Sequence, residues 1–210
     1  RGEGPAERAE VRVELPVDAH IPHDYVTGER LRLEAYTRIA SIDSERDIEA
    51  VREELTDRFG AVPPQVESLL AVARLRTVAR AAGLTDIVLQ GNKIKFSPVE
   101  LPESREIRLQ RLYPGSILKS TLNTLLVPVP RAGSRPPSAG PGRAGTGPAT
   151  VSLGAPPLRD RELLAWCEEL ISSVLEGLQS GQVSPAGAPP GSVSPGADGD
   201  DGPVTMERQG

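Results

Sequence analysis

From residue 131 to 157 the chain is built almost wholly of Gly, Pro, Ala, Ser and Arg. Such a stretch has too little apolar surface to offset the entropy lost on ordering it, so the sequence predicts a disordered linker there. The composition returns in 180–210, which reads as a disordered tail. What can fold is thereby confined to residues 11–130 and one helix-length segment, 158–179. Gly and Pro number 21 each, and they gather in the last third of the chain. Aromatic residues make up only 3%, so any core must be assembled from Leu, Val, Ile and Ala.

Other bulk properties narrow the function. The formal net charge of -5 argues against a dedicated nucleic-acid binder, which usually carries a basic excess. No apolar run approaches the roughly 18–20 residues that span a bilayer. Cys167 is the one cysteine, which precludes an intramolecular disulfide and fits a cytoplasmic protein. The chain opens Arg1-Gly2-Glu3-Gly4 and its one methionine is Met206, so it reads as part of a longer parent polypeptide, with 1–10 as a linker.

Within 11–130 the periodicity predicts an α+β domain. Val11-Arg12-Val13-Glu14-Leu15 alternates apolar and charged residues, as a half-buried N-terminal strand does. Pro16 and Pro22 then impose an extended path. A first helix is expected at about 29–41, with Leu33, Tyr36 and Ile39/Ala40 on its apolar stripe and a Glu34–Arg38 pair at i,i+4. The second helix is the best punctuated. Ser44 caps it, with Asp47 three residues on, and Ile48, Val51, Leu55 and Phe59 form one stripe. Gly60 stands where a left-handed C-terminal residue is wanted, and Pro63-Pro64 prevents continuation. Pro64 opens a third helix with Val66, Leu69, Leu70, Ala73 and Thr77 as its core stripe and Gly83 at its end.

The period then changes to that of a small antiparallel β layer. Ile87, Leu89, Ile94 and Phe96 alternate around Gly91-Asn92, which predicts a hairpin. Residues 103–113 are open between helix and strand, and 117–129 reads as one or two strands. After the linker, a C-terminal amphipathic helix at about 159–178 carries Leu163, Trp166, Leu170 and Val174 on one face. Asp160 and Glu162 sit at its start, where the helix dipole favours negative charge.

Residues that carry catalytic or metal chemistry are scarce. Gly115-Ser116-Ile117-Leu118-Lys119-Ser120 imitates a phosphate-binding loop but lacks the second glycine that lets backbone amides wrap a phosphate. His20 and His23 flank Pro22, with only Asp18 and Asp24 as companions, and read as an ordinary turn rather than a metal site. No serine or cysteine nucleophile has a histidine in a recognisable context. Cys167, beside Trp166 in the last helix, reads as a small core residue. Neither a catalytic residue nor a cofactor site is expected. Arg74, Arg76 and Arg80 on the third helix, with Lys93 and Lys95 on the hairpin, form the one candidate phosphate-contacting patch, and a nucleic-acid-binding module is the alternative reading they support.

The segments Glu14-Leu15-Pro16-Val17-Asp18, Asp24-Tyr25-Val26, Arg30 to Ala40 and Glu53-Glu54-Leu55-Thr56-Asp57-Arg58-Phe59-Gly60, then Leu75-Arg76 and Gly83, together resemble the C-terminal domain of bacterial transcription-repair coupling factors. The resemblance is strongest over residues 11–90 and continues more loosely to 130. The Gly/Pro-rich interruption and tail resemble those of actinobacterial members. The resemblance implies a parent that is an ATP-dependent DNA translocase of the helicase superfamily, using ATP and Mg2+. Such a parent binds duplex DNA, releases stalled RNA polymerase and recruits the excision-repair protein UvrA. It further implies that this domain is regulatory rather than enzymatic. It would pack on the N-terminal UvrB-like module of the same chain, mask the UvrA-binding surface and restrain the motor.

The residues are compatible with that role. On a helical wheel Glu54, Asp57 and Arg58 lie away from the Ile48–Phe59 stripe, and Glu54 and Arg58 are i,i+4 and can steady each other. Asp57 and the outer edge of Glu54 are then free to meet cations on a partner.

Overall fold

The computed structural model describes residues 10–132 and 154–175; the predicted linker and tail lie, all but a few residues, outside them. Among the described residues the elements run β1 (Arg12–Glu14), α1 (Glu29–Ala40), α2 (Glu45–Phe59), α3 (Pro64–Ala81), β2 (Asp86–Gln90), β3 (Lys93–Ser97), α4 (Glu103–Leu112), β4 (Ile117–Lys119), β5 (Thr124–Pro128) and α5 (Asp160–Leu170). This is the α+β architecture that the periodicity predicts. Residues 103–112, open in the sequence, are helical. The stretch 117–128 is two strands joined through a turn of 3-10 helix, Ser120–Leu122.

The sheet has the order β1-β2-β3-β5-β4. The hairpin turns on Gly91, whose φ of +61° suits a first turn residue without a Cβ. Gln90 faces Lys93 and Ile87 faces Phe96 across it. The layer is not purely antiparallel. The N-terminal strand joins it as an edge, and β1 runs parallel to β2 with Val13 opposite Ile87. A parallel neighbour requires a long crossover, here supplied by α1, α2 and α3.

Two hydrophobic clusters hold these layers. One gathers Ile39, Ile48, Val51, Leu55, Val66 and Leu70 from α1, α2 and the first half of α3. The other gathers Leu75 and Ala79 from the second half of α3 with Ile87, Ile94, Phe96 and Leu125 of the sheet. The single stripe expected on α3 is therefore incomplete. The helix lies between two cores, so it buries Leu75 and Ala79 as well as Val66, Leu70 and Ala73, while Leu69 and Thr77 are only half-buried.

The apolar stripe of α1 also differs from expectation. Ala35 and Ile39 are buried, whereas Leu33 is 67% exposed and Tyr36 is 37% exposed. Tyr36 is held at the periphery because its hydroxyl accepts a hydrogen bond from the Ile21 amide at 2.8 Å.

The last helix is part of the sheet-side core. Leu163, Trp166, Leu170 and Val174 are buried as the periodicity predicts, and so are Leu164, Cys167, Ile171 and Leu175. The helix is apolar on a wider face than one stripe because it sits against both α3 and the sheet-side cluster. The final turn, Ile171–Leu175, widens to π geometry; 176–178 lie outside the described residues. Trp166 meets Tyr113 edge-on at 5.4 Å. Pro130 and Leu158, which flank the Gly/Pro-rich segment in sequence, meet in space: the Leu158 amide donates to Pro130 O at 2.8 Å. Burying an aliphatic side chain contributes about 1.5–3 kcal/mol, so several of them fix α5 firmly.

Candidate docking surface

The proposed docking residues stand on α2, and local signals set both of its ends. The Ser44 hydroxyl accepts from the Asp47 amide at 3.2 Å and donates to Asp47 Oδ2 at 2.7 Å. The hydrogen bond from Ser44 holds the Asp47 carboxyl below its ordinary range, with further help from the Asp43 and Ser44 amides and the Arg38 charge. At the other end Gly60 has φ +88° and ψ -163°. The positive φ that the sequence calls for is present, but the chain leaves extended rather than curling left-handed, and the Gly60 amide closes on Thr56 O at 2.9 Å.

Tyr25 secures this end from outside the helix. Its hydroxyl sits 3.1 Å from both Leu55 O and Gly60 O, and its ring meets Phe59 edge-on at 5.9 Å. Arg58 lies over the Phe59 ring at 5.0 Å. Phe59 is half-buried, whereas Ile48, Val51 and Leu55 are fully buried, so the inward stripe holds. The sequence signal for Tyr25 was its place in the Asp24-Tyr25-Val26 block, which by itself assigns no role.

Glu54 and Asp57 lie outside that core, as the wheel requires, but they are not equivalent. Glu54 accepts from Arg58 at 3.2 Å and from Arg38 at 3.3 Å, and its side chain is 39% exposed. Asp57 is exposed, and no ion pair or hydrogen bond to its side chain occurs among the described residues. The expected Glu34–Arg38 pair does not form. Glu34 instead accepts from Arg30 at 3.0 Å, because Arg38 points across to α2. Sequence spacing could not reveal Arg38 as part of this surface, since its partner is sixteen residues away.

The residues of the candidate phosphate patch are dispersed. Arg74 forks onto both carboxylate oxygens of Glu45, and Arg80 donates to Asp43 at 3.0 Å, so both are turned toward the start of α2. Arg76 is half-buried, and its Nε has no hydrogen-bond partner among the described residues. Lys93 and Lys95 alternate with Ile94 and Phe96, which enter the core beneath α3; the lysines therefore face away from the α3 arginines. Geometry thus divides the five cations between two sides of the sheet.

Other chemistry is equally sparse. His20 Nδ1 is 2.9 Å from Asp18 Oδ1, both exposed, and no group of three or more metal-ligating side chains occurs among the described residues. Cys167 is fully buried, and burial pushes its thiol well above the ordinary range. No helix of the described residues is long and apolar enough to cross a membrane.

Residues 15–108, which include α1, α2, α3 and the β2–β3 hairpin, match the family model described as the TRCF domain. Over 169 residues, 80% of its length, the chain is 43% identical to the transcription-repair-coupling factor of Mycobacterium tuberculosis (strain CDC 1551 / Oshkosh). The chain belongs to the transcription-repair coupling factor family. It spans only 12% of the length of that mycobacterial relative. It is also 36% identical over 98 residues to the transcription-repair-coupling factor of Escherichia coli (strain K12), covering 47% of this chain and 8% of that protein. A solved C-terminal domain of transcription-repair coupling factor has the same fold, with a TM-score of 0.51 and 23% identity over 58% of this chain and 80% of that one. Glu54, Asp57 and Arg58 all lie within the TRCF domain.

Proposed function

We propose that this TRCF domain is a releasable lock within a longer, cytoplasmic DNA translocase that couples transcription to nucleotide excision repair. In this reading the parent uses ATP and Mg2+ in a motor outside the present chain. It moves on duplex DNA, releases stalled RNA polymerase and recruits UvrA. The domain itself carries no catalytic role. It docks through Glu54, Asp57 and Arg58 on the UvrB-like module of the same polypeptide, masks the surface that receives UvrA and restrains the motor.

The observation that carries the reading is Asp57: an exposed carboxylate, unpaired among the described residues, one turn from a carboxylate already braced by two arginines. Bracing Glu54 from both sides fixes its position at little further entropic cost on docking. Ion pairs at the rim of an interface contribute only about 0.2–1 kcal/mol each. A contact built from a few of them holds the closed state yet yields to a competing ligand, within the roughly 1–3 kcal/mol typical of coupling between sites. Hydrophobic anchors in the same place would close the lock too tightly to open.

The test is Asp57→Lys in the full-length parent, read by UvrA affinity and by ATPase rate without DNA. Both should rise. If neither moves while the variant folds normally, the lock reading fails. The purified 210-residue chain should hydrolyse no ATP, with or without DNA.

A further inference from the structure

Lys93, Lys95 and Lys119 are the only lysines in the chain; all its other basic side chains, histidines apart, are arginines. All three fall on one surface. Ile94, Phe96 and Leu118 of β3 and β4 pack into the sheet-side core, so by strand alternation the lysines between and beside them occupy the opposite face. The helices that pack on the sheet, α3, α4 and α5, contribute to that same single core. The lysine face is therefore bare of helix among the described residues.

Register places an apolar row through the middle of this face. Val88 lies opposite Lys95, Lys95 opposite Leu126, and Leu126 opposite Ile117. Ile117 is 41% exposed, and Val88 and Leu126 are half-buried, as are Lys93 and Lys95. Lys93 and Lys119 stand on either side of that row. The acidic groups of the face are already engaged: Glu14 by Arg12 at 2.8 Å, and Asp86 by the Thr85 hydroxyl at 2.7 Å and the Ser97 hydroxyl at 3.4 Å. No ion pair reaches any of the three lysines among the described residues, whereas Arg38, Arg52, Arg58, Arg74 and Arg80 of the helical layer are all paired.

From this juxtaposition we infer that the open sheet face is a second docking surface, and that its occupant is an acidic amphipathic helix of another polypeptide segment. The apolar row distinguishes this from a phosphate backbone, which would leave Val88, Leu126 and Ile117 without complementary contacts. Single-stranded nucleic acid would need aromatic stacking platforms, and this face has none. A helix is the usual cover of a sheet face, with its apolar stripe on the strands and its polar edges outside. Carboxylates along those edges would meet Lys93 and Lys119, while the Lys95 stem extends the apolar contact. The occupant comes from beyond this chain, because 1–9, 133–153 and 176–210 offer no apolar helical repeat in their sequence.

The experiment uses the 210-residue chain, isotope-labelled for amide chemical shifts. The probe is a helix-forming peptide of about 18 residues with a leucine stripe bordered by glutamates. A peptide with lysine for glutamate and a duplex of about 20 base pairs are the comparisons. The glutamate peptide should shift amides of β3, β4 and β5. Its affinity should fall at least about tenfold, or roughly 1.4 kcal/mol, in K93E/K95E/K119E, whose unperturbed core amides certify folding. A K93Q/K95Q/K119Q variant should fall between the two. Absence of binding, equal binding of the lysine peptide, shifts confined to α1 and α2, or an unaffected triple variant would each overturn the proposal. So would duplex DNA displacing the peptide from the same amides, which would make the face a nucleic-acid site.

Discussion

Arg38 of α1 reaches Glu54 of α2 at 3.3 Å, so the acidic flank of α2 is tied to its own domain before any partner arrives. Asp57 has no such tie among the described residues. The two carboxylates can therefore be separated experimentally. Asp57→Lys should leave folding stability within about 0.5 kcal/mol, since it breaks no ion pair or hydrogen bond among the described residues. Glu54→Lys should cost on the order of 1 kcal/mol, because it sets two arginines against a new cation, and both groups are partly exposed. Urea denaturation of the two variants checks the contrast. Equal losses would mean that Asp57 has a structural role too.

Arg52 joins α2 to α3 by a fork. Its Nε and Nη2 donate to the two Glu67 oxygens, each at 3.1 Å, while Nη1 lies 2.7 Å from Glu49. Lysine keeps the charge but cannot span both oxygens. Arg52→Lys should destabilise the domain by about 1 kcal/mol. A loss equal to that of Arg52→Ala, measured by the same denaturation, would show that the fork geometry is what matters. No loss in Arg52→Lys would show that charge alone suffices.

Glu168 on α5 is pushed up to about 7 from an ordinary 4.5, first by burial; Arg74 pulls it back down and Glu45 adds to the rise. Between those two values the folded chain holds a proton that the unfolded chain has released. The contribution of Glu168 to stability therefore falls as pH rises from about 4.5 to about 7 and is level above that. Glu168→Gln removes this slope. The variant should match the original near pH 4.5 and exceed it by about 1–2 kcal/mol at pH 8, because partial exposure lets solvent screen part of the shift. Parallel denaturation curves at the two pH values measure the difference; an identical offset at both would refute the assignment.

Leu164 is completely buried in the sheet-side core that α5 completes. Leu164→Ala should cost about 2–5 kcal/mol, the range for a cavity that cannot collapse. Deleting everything after residue 132 should leave α3 and the sheet exposed to water, with dye binding to apolar surface as the readout. A truncated chain that unfolds cooperatively at the original midpoint would mean that α5 is dispensable.

Sequence alone determined the features whose causes lie within a few residues. Ser44 and Asp47 start α2 and Pro64 starts α3 because caps and ring geometry act on backbone groups one turn away. Gly91 places the hairpin for the same reason. The stripe Ile48-Val51-Leu55 was legible because one helical period specifies one face. Tertiary structure decided the rest. Whether Leu33 would be covered, whether α3 would bury one face or two, and whether Arg38 would choose Glu34 or Glu54 depend on which elements pack together, and periodicity is silent on that. The lysine face is the clearest case: three residues spread over 93–119 look unrelated in the chain, and only strand register and the one-sided helical cover set them side by side.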